Sequence, residues 1–214
     1  MLKQNRPSRR PAVMTTTANI QNALADLLGE EPLLPELAQV LDRCRQEGGL
    51  TFGEIAGLAG EEAAEVVLLA WDWKLLLPRR SRQCAEWDDR VMRFETNEYY
   101  LVPNLARCLL ERAAAGGAWE QDAAVADLYR QMGEENWEKM PALVTEIARS
   151  AGPGGISGAA IGRACARVGL GDRVGAMIAV LKGGGVISPR LVGAGPAEKK
   201  GSPVYEVHPA VTRT

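Results

Sequence analysis

Apolar residues recur at helical spacing along most of the chain. Ile20, Leu24, Leu27 and Leu28 share one face of residues 19–29, and Gly29 is suited to end that helix. From Pro35 the run PELAQVLDRCRQEGG places Leu37, Val40, Leu41 and Cys44 on one face, with Pro35 in a first turn and Gly48 and Gly49 past the end. Thr51, with Glu54 three residues on, has the pattern of a capping box and predicts a short second helix. The run EEAAEVVLLAWDWKLLL, residues 61–77, reads as a third helix stopped by Pro78. The alternating segments DRVMRFE and EYYLVP flank Thr96 and Asn97 and predict a β-hairpin, after which Asn104 is the expected cap of a closing helix. An acidic connector follows, with a helix expected over 119–132.

The same order then returns. WEKMPALVTEIARSAG is a first helix, GGISGAAIGRACARVGL a second with Ser157 near its start, and GDRVGAMIAVLKGGG a third. Asp172 is the expected N-cap of that third helix, Val174, Met177, Ile178 and Leu181 its core stripe, and Gly183, Gly184 and Gly185 its stop. Residues 186–192 and 204–207 predict two strands around the turn-prone GAGPAEKKGSP. Gly158 and Gly162 suit close helix packing in a core.

Composition narrows the chemistry. The chain has 214 residues, 46% hydrophobic and 24% charged, with 5% aromatic, which excludes disorder throughout and favours packed short helices over a sheet sandwich. One His and four scattered Cys (Cys44, Cys84, Cys108 and Cys165) without a C-x-x-C give no expectation of a metal, and Cys44, Cys108 and Cys165 read as small buried hydrophobes. No cofactor is expected, because the Gly-rich GPGGISGAAIG and GAGPAEKKGSP lack the order that cradles a nucleoside triphosphate. His208 has no neighbouring nucleophile in sequence, and the carboxylate pairs Glu134 with Glu135 and Asp88 with Asp89 read as solvated loops, so the expectation is a non-enzyme. The longest apolar run, VVLLAW, is far too short to cross a bilayer, and residues 1–17 read as a flexible basic tail without the apolar stretch of a secretory signal. A cytoplasmic protein with no membrane partner is the expectation.

Charge is unevenly distributed. The formal net charge of -2 conceals +4 in residues 1–20, -1 in 21–29, -6 in 30–115, -4 in 116–151 and +5 in 152–214. A polyanion would be attracted to the C-terminal third and repelled by the middle.

The element order of residues 33–115 and 136–209 resembles the winged helix-turn-helix domain. The resemblance implies a mainly α fold with small β-hairpin wings (α+β): two such domains in tandem, 33–115 and 136–214, joined by a helical connector over 116–135. The tail 1–17 and a helix over 18–32 precede them. It also implies duplex DNA as a partner, read by the third helix in the major groove with the wing on a neighbouring phosphate. In the first domain Glu61, Glu62 and Glu65 open the third helix and oppose that role. Arg79, Arg80 and Arg82 lie among acids, and Trp71, Trp73, Trp87, Phe94, Tyr99 and Tyr100 read as packing. In the second domain Arg173 and Lys182 bracket a smooth face of Gly175, Ala176 and Ala179. Arg163 and Arg167 sit four apart on helix two, and Arg190, Lys199 and Lys200 belong to the wing. These seven cations are the candidate DNA contacts of a transcriptional regulator, with the acidic first domain serving dimerisation or a protein partner. The alternative is a non-enzymatic assembly scaffold whose domains bind protein; RNA is a third possibility. Convergence of Arg163, Arg167, Arg173 and Lys199 on one surface favours nucleic acid, and dispersion favours the scaffold.

Overall fold

The computed structural model describes residues 15–79, 92, 94–190 and 202–212. The first helix, α1 (Thr16–Leu28), starts where the Thr15 hydroxyl accepts the Ala18 N–H and ends at Gly29, whose φ of 76° only glycine adopts readily. It absorbs two residues assigned to the tail. Next come α2 (Leu34–Glu47), β1 (Leu50–Thr51), α3 (Phe52–Ala59) and, after a 3-10 turn, α4 (Ala63–Asp72). The Thr51 capping box is complete: the Glu54 carboxylate accepts the Thr51 N–H at 2.7 Å and the Thr51 hydroxyl accepts the Glu54 N–H at 3.2 Å.

The third helix is shorter than its periodicity suggests. It stops at Asp72 because Lys74 turns the chain at φ 57° and the Leu75 and Leu76 amides both reach back to the Ala70 carbonyl. Leu75, Leu76 and Leu77 are thereby carried into the core instead of along a helix whose far side is solvent. Pro78 sits in β2 (Leu77–Pro78), an edge strand, where a residue with no N–H is tolerated. Its partner is β3 (Tyr99–Leu101), which pairs antiparallel with β1 as well. The predicted pairing of DRVMRFE with EYYLVP is therefore corrected: β3 takes Leu77 and Pro78, and the described Met92, Phe94 and Glu95 lie in no strand. The turn at Thr96 and Asn97 is present. Asn104 is the first residue of α5 (Asn104–Gly116) rather than its cap; Pro103 holds the cap position, with no side-chain hydrogen bond.

The connector helix is α6 (Gln121–Gln131), two residues shorter at its start than expected. Then follow α7 (Met140–Ser150), β4 (Ile156–Ser157), α8 (Gly158–Arg167), α9 (Val174–Gly184), β5 (Ile187–Pro189) and β6 (Val204–Val207). Ser157 caps α8 by accepting the Ala160 N–H at 3.2 Å. Asp172 caps nothing: it lies in the 3-10 turn Gly171–Arg173, and Arg173 occupies the cap position of α9. Gly185 ends α9 at φ 76°. Both halves thus run helix, short strand, helix, helix, strand, strand, with the first and second strands flanking the third in each sheet. The molecule is mainly helical with two small antiparallel sheets. No described helix is long and apolar enough to cross a membrane.

Two apolar cores meet on α5. Leu105, Cys108 and Leu109 belong to the core shared with α6, α7, α8 and α9, whereas Ala106, Leu110 and Ala113 belong to the core built with α1, α2, α3 and α4. Trp73 and Trp119 pack against both. The seam is also bridged by polar contacts. The Trp119 indole donates to the Ala210 carbonyl at 3.3 Å, and the fully buried His208 lies 3.3 Å through Nε2 from the Lys74 carbonyl. His208 Nδ1 accepts the Ala210 N–H at 3.2 Å, which leaves the ring proton on Nε2 to donate to Lys74.

Candidate functional site

The third helices and their surroundings are where the sequence places function, and their exposed faces follow from the packing stripe. In α9, Met177 and Leu181 are buried with Val174 and Ile178 packed beside them, so Gly175, Ala176, Ala179 and Gly183 face solvent. In α4, Ala63, Val66, Val67 and Ala70 are buried. Glu65, Leu68 and Asp72 are left on the outer face, continuing from Glu61 and Glu62 in the preceding turn. Leu68 is 42% exposed, one of three large apolar side chains so exposed among the described residues.

Arg173 does not reach outward alone. Its Nη1 lies 3.0 Å from Oε1 of Glu134, a carboxylate 9% exposed. Glu134 was expected to be a solvated loop residue, and this is corrected. Gly133 turns the chain at φ 75° after α6, and the next residue is folded inward to accept the Asn136 N–H at 3.0 Å. Burial pulls the Glu134 carboxyl upward, but the Asn136 amide and side chain and the Arg173 guanidinium outweigh it and hold the group below its ordinary range. The pair also offsets the unfavourable position of a cation at the positive end of the α9 dipole.

Arg167 is engaged too. Its Nε lies 2.7 Å from Oε2 of Glu146 on α7, and its Nη2 donates to the Ser150 hydroxyl at 3.2 Å; Arg149 holds the other Glu146 oxygen. Arg190 is exposed and donates from Nη1 to the Gly154 carbonyl at 2.8 Å. Lys182 is half-buried near the end of α9, and Arg163 is exposed on α8 with no ion pair among the described residues. Lys199 and Lys200, like Cys84, Trp87, Arg80 and Arg82, lie outside the described residues. Arg167, Arg173 and Arg190 are therefore tied to three separate anchors, on α7, after α6 and before β4. No sequence signal distinguishes Glu134 from Glu135; only the approach of the α9 start to the end of α6 does.

The described cysteines match their reading as buried apolar residues. Burial pushes the thiol of Cys44 up to about 12 and that of Cys108 to about 11, and raises Cys165, which leaves all three poor nucleophiles at neutral pH. The close helix packing expected of Gly158 and Gly162 is not what they make: Gly158 faces the segment before β6, and Gly162 meets the start of α9 at ordinary contact distance. A Cβ on Gly158 would lie 2.9 Å from the Ser202 hydroxyl, and one on Gly162 would lie 3.7 Å from Val174.

A protein-family model matches residues 19–214, nearly the whole chain, and the chain belongs to that family. The match begins inside α1, so it takes in both cores and the α5–α6 junction as one unit. No curated protein and no solved structure matches the chain.

Proposed function

We propose that the chain is a non-enzymatic protein-interaction module made of two winged helix-turn-helix units fused through α5 and α6, and that its third helices dock on protein. The strand order supports the winged-helix reading, since a third strand between the first and second is what that scaffold builds beneath its helices. One observation carries the choice of partner: the outer faces of the third helices are nearly bare of free cations, half-buried Lys182 near the end of α9 being the one that meets no acid among the described residues. α4 shows Glu65, Leu68 and Asp72, α9 shows Gly175, Ala176, Ala179 and Gly183, and Arg173 is held by Glu134. A polyanion needs several lysines or arginines free for phosphate, whereas a smooth or mixed acidic and apolar helix suits a protein surface.

Duplex DNA is the second reading. It is favoured by Arg163, exposed and without an acid, and by the net +5 of residues 152–214. Fluorescence anisotropy of a labelled duplex with the full chain across a salt series separates the two. The expected result is no binding at about 50 mM salt, where the phosphate contribution is still strong. In parallel, a partner captured by the wild-type chain and then purified is expected to bind it directly, to lose the interaction with Leu68→Arg, and to keep it with Arg163→Gln. Duplex binding that weakens steeply with log salt and is abolished by Arg163→Ala with Arg190→Ala would replace the protein reading with the DNA one.

A further inference from the structure

A cleft of about 500 Å³ opens along the seam between the two halves. The first half contributes Asp72, the last residue of α4, and Lys74, the one non-glycine residue with positive φ among those described. The second half contributes Arg190 after β5, Glu206 on β6, and Gly152 and Pro153 from the loop before β4. Four charged side chains from three segments, the end of α4, the residue after β5 and β6, thus line one cavity, two of each sign.

Several arginines outside the cleft are already matched to acids. Arg167 and Arg173 are matched to Glu146 and Glu134, and Arg112 is matched to Asp127 across α5 and α6. Asp72, Arg190 and Glu206 make no ion pair among the described residues, although they line the same cleft. Arg190 is steadied through one nitrogen on the Gly154 carbonyl, which leaves the rest of its donor fork for a ligand. Lys74 is fixed from behind: its carbonyl faces buried His208, and its ammonium lies 4.0 Å from the centre of the Trp71 ring. The backbone conformation at Lys74 is an uncommon one for a residue with a side chain, and such positions concentrate at ligand sites.

The balance of signs selects the ligand. An anion alone meets Asp72 and Glu206, and a cation alone meets Arg190 and Lys74, so each is opposed by half of the lining. A molecule with both charges satisfies both signs, and the volume lies in the range of small-molecule sites at domain junctions. We propose that this cleft binds a small zwitterion carrying one carboxylate and one ammonium group, a free α-amino acid or a dipeptide. Arg190 takes the carboxylate, and Asp72 and Glu206 take the ammonium. Such a ligand touches both halves and stabilises the seam by mass action. The proposal stands apart from the choice between protein and DNA as the macromolecular partner.

Calorimetric titration of the full chain with the twenty standard amino acids and with glycyl dipeptides, each up to about 10 mM, tests it. Saturable binding by members of one series is expected, and which series binds identifies the source of the zwitterion. The amide of the bound compound, without a carboxylate, and its N-acetyl form, without an ammonium, should each bind roughly tenfold more weakly. In Arg190→Gln the parent should fall to the affinity of its amide, and in Glu206→Gln to that of its N-acetyl form. Arg163→Gln, remote from the cleft, should change nothing. No saturable binding from either series, full affinity for a singly charged analogue, or discrimination that persists in both variants would overturn the proposal.

Discussion

His208 shows how one buried side chain joins the two halves. Enclosed and bonded as a neutral ring, it has its pKa driven down from 6.5 to about 3 by burial. In the unfolded chain it takes up a proton near 6.5, so between 6.5 and 3 the unfolded state binds more protons than the native one. Stability from this group is therefore complete above about pH 6.5 and declines as pH falls toward 3. The loss reaches roughly 2 kcal/mol by pH 5. Asp42 and Glu134, both held below their ordinary range, act in the same direction but only as pH falls through their lowered pKa values. Urea unfolding at pH 7 and pH 5 should show the loss in the wild type and little of it in His208→Asn. An equal pH dependence in the two proteins would exclude His208 as its source. A second residue-scale contact is steric. A Cβ on Gly184 would lie 2.8 Å from the Tyr129 hydroxyl, which is buried and has no hydrogen-bond partner. Gly184→Ala should cost about 1–3 kcal/mol from overpacking. Tyr129→Phe should be neutral or stabilising and should recover part of that loss, because it removes the nearest of the clashing atoms and an unsatisfied hydroxyl, while the ring carbons at 3.0 and 3.1 Å remain. Thermal denaturation of the single and double variants measures the coupling.

The elements that carry the candidate surfaces are short and depend on their caps. α3 has 8 residues and α8 has 10, too few to be stable alone, and each opens directly from a two-residue strand. Thr51 and Ser157 hold equivalent places in the two halves: each ends its strand and caps the next helix. Thr51→Ala and Ser157→Ala should each lower stability by about 1 kcal/mol, read as a reduced urea midpoint at unchanged slope. A change in slope would mean that the cap does more than satisfy an amide. The Thr51 box and the Ser157 cap were legible because a cap is a contact three residues long. Asn104 and Asp172 carried the same residue-type signal without becoming caps, since Pro103 and the turn Gly171–Arg173 set the start of those helices. The end of α4 was not legible either, because WDWKLLL keeps helical periodicity past Asp72 and only burial of the three leucines favours the turn.

At the scale of the whole molecule, α5 joins the two halves by contributing to both cores. Its neighbouring residues Leu109 and Leu110 are fully buried in different cores. Leu109→Ala and Leu110→Ala should each cost about 2–5 kcal/mol and lower the same single transition. Tryptophan fluorescence and far-UV circular dichroism should coincide through unfolding in both variants; two separated transitions would show that the cores unfold independently. The sequence by itself determined the order of the helices, the apolar faces, the caps at Thr51 and Ser157 and the buried fate of the three described cysteines. Those features depend on side-chain period and on contacts a few residues apart, which a linear chain displays directly. Tertiary structure alone decided that β3 pairs with Leu77 and Pro78, that Glu134 is buried against Arg173, and that His208 meets Lys74. It also decided that four charges collect in one cleft. Each of these joins residues more than twenty positions apart or depends on which of two similar neighbours is enclosed, and that is settled by packing the two cores on α5.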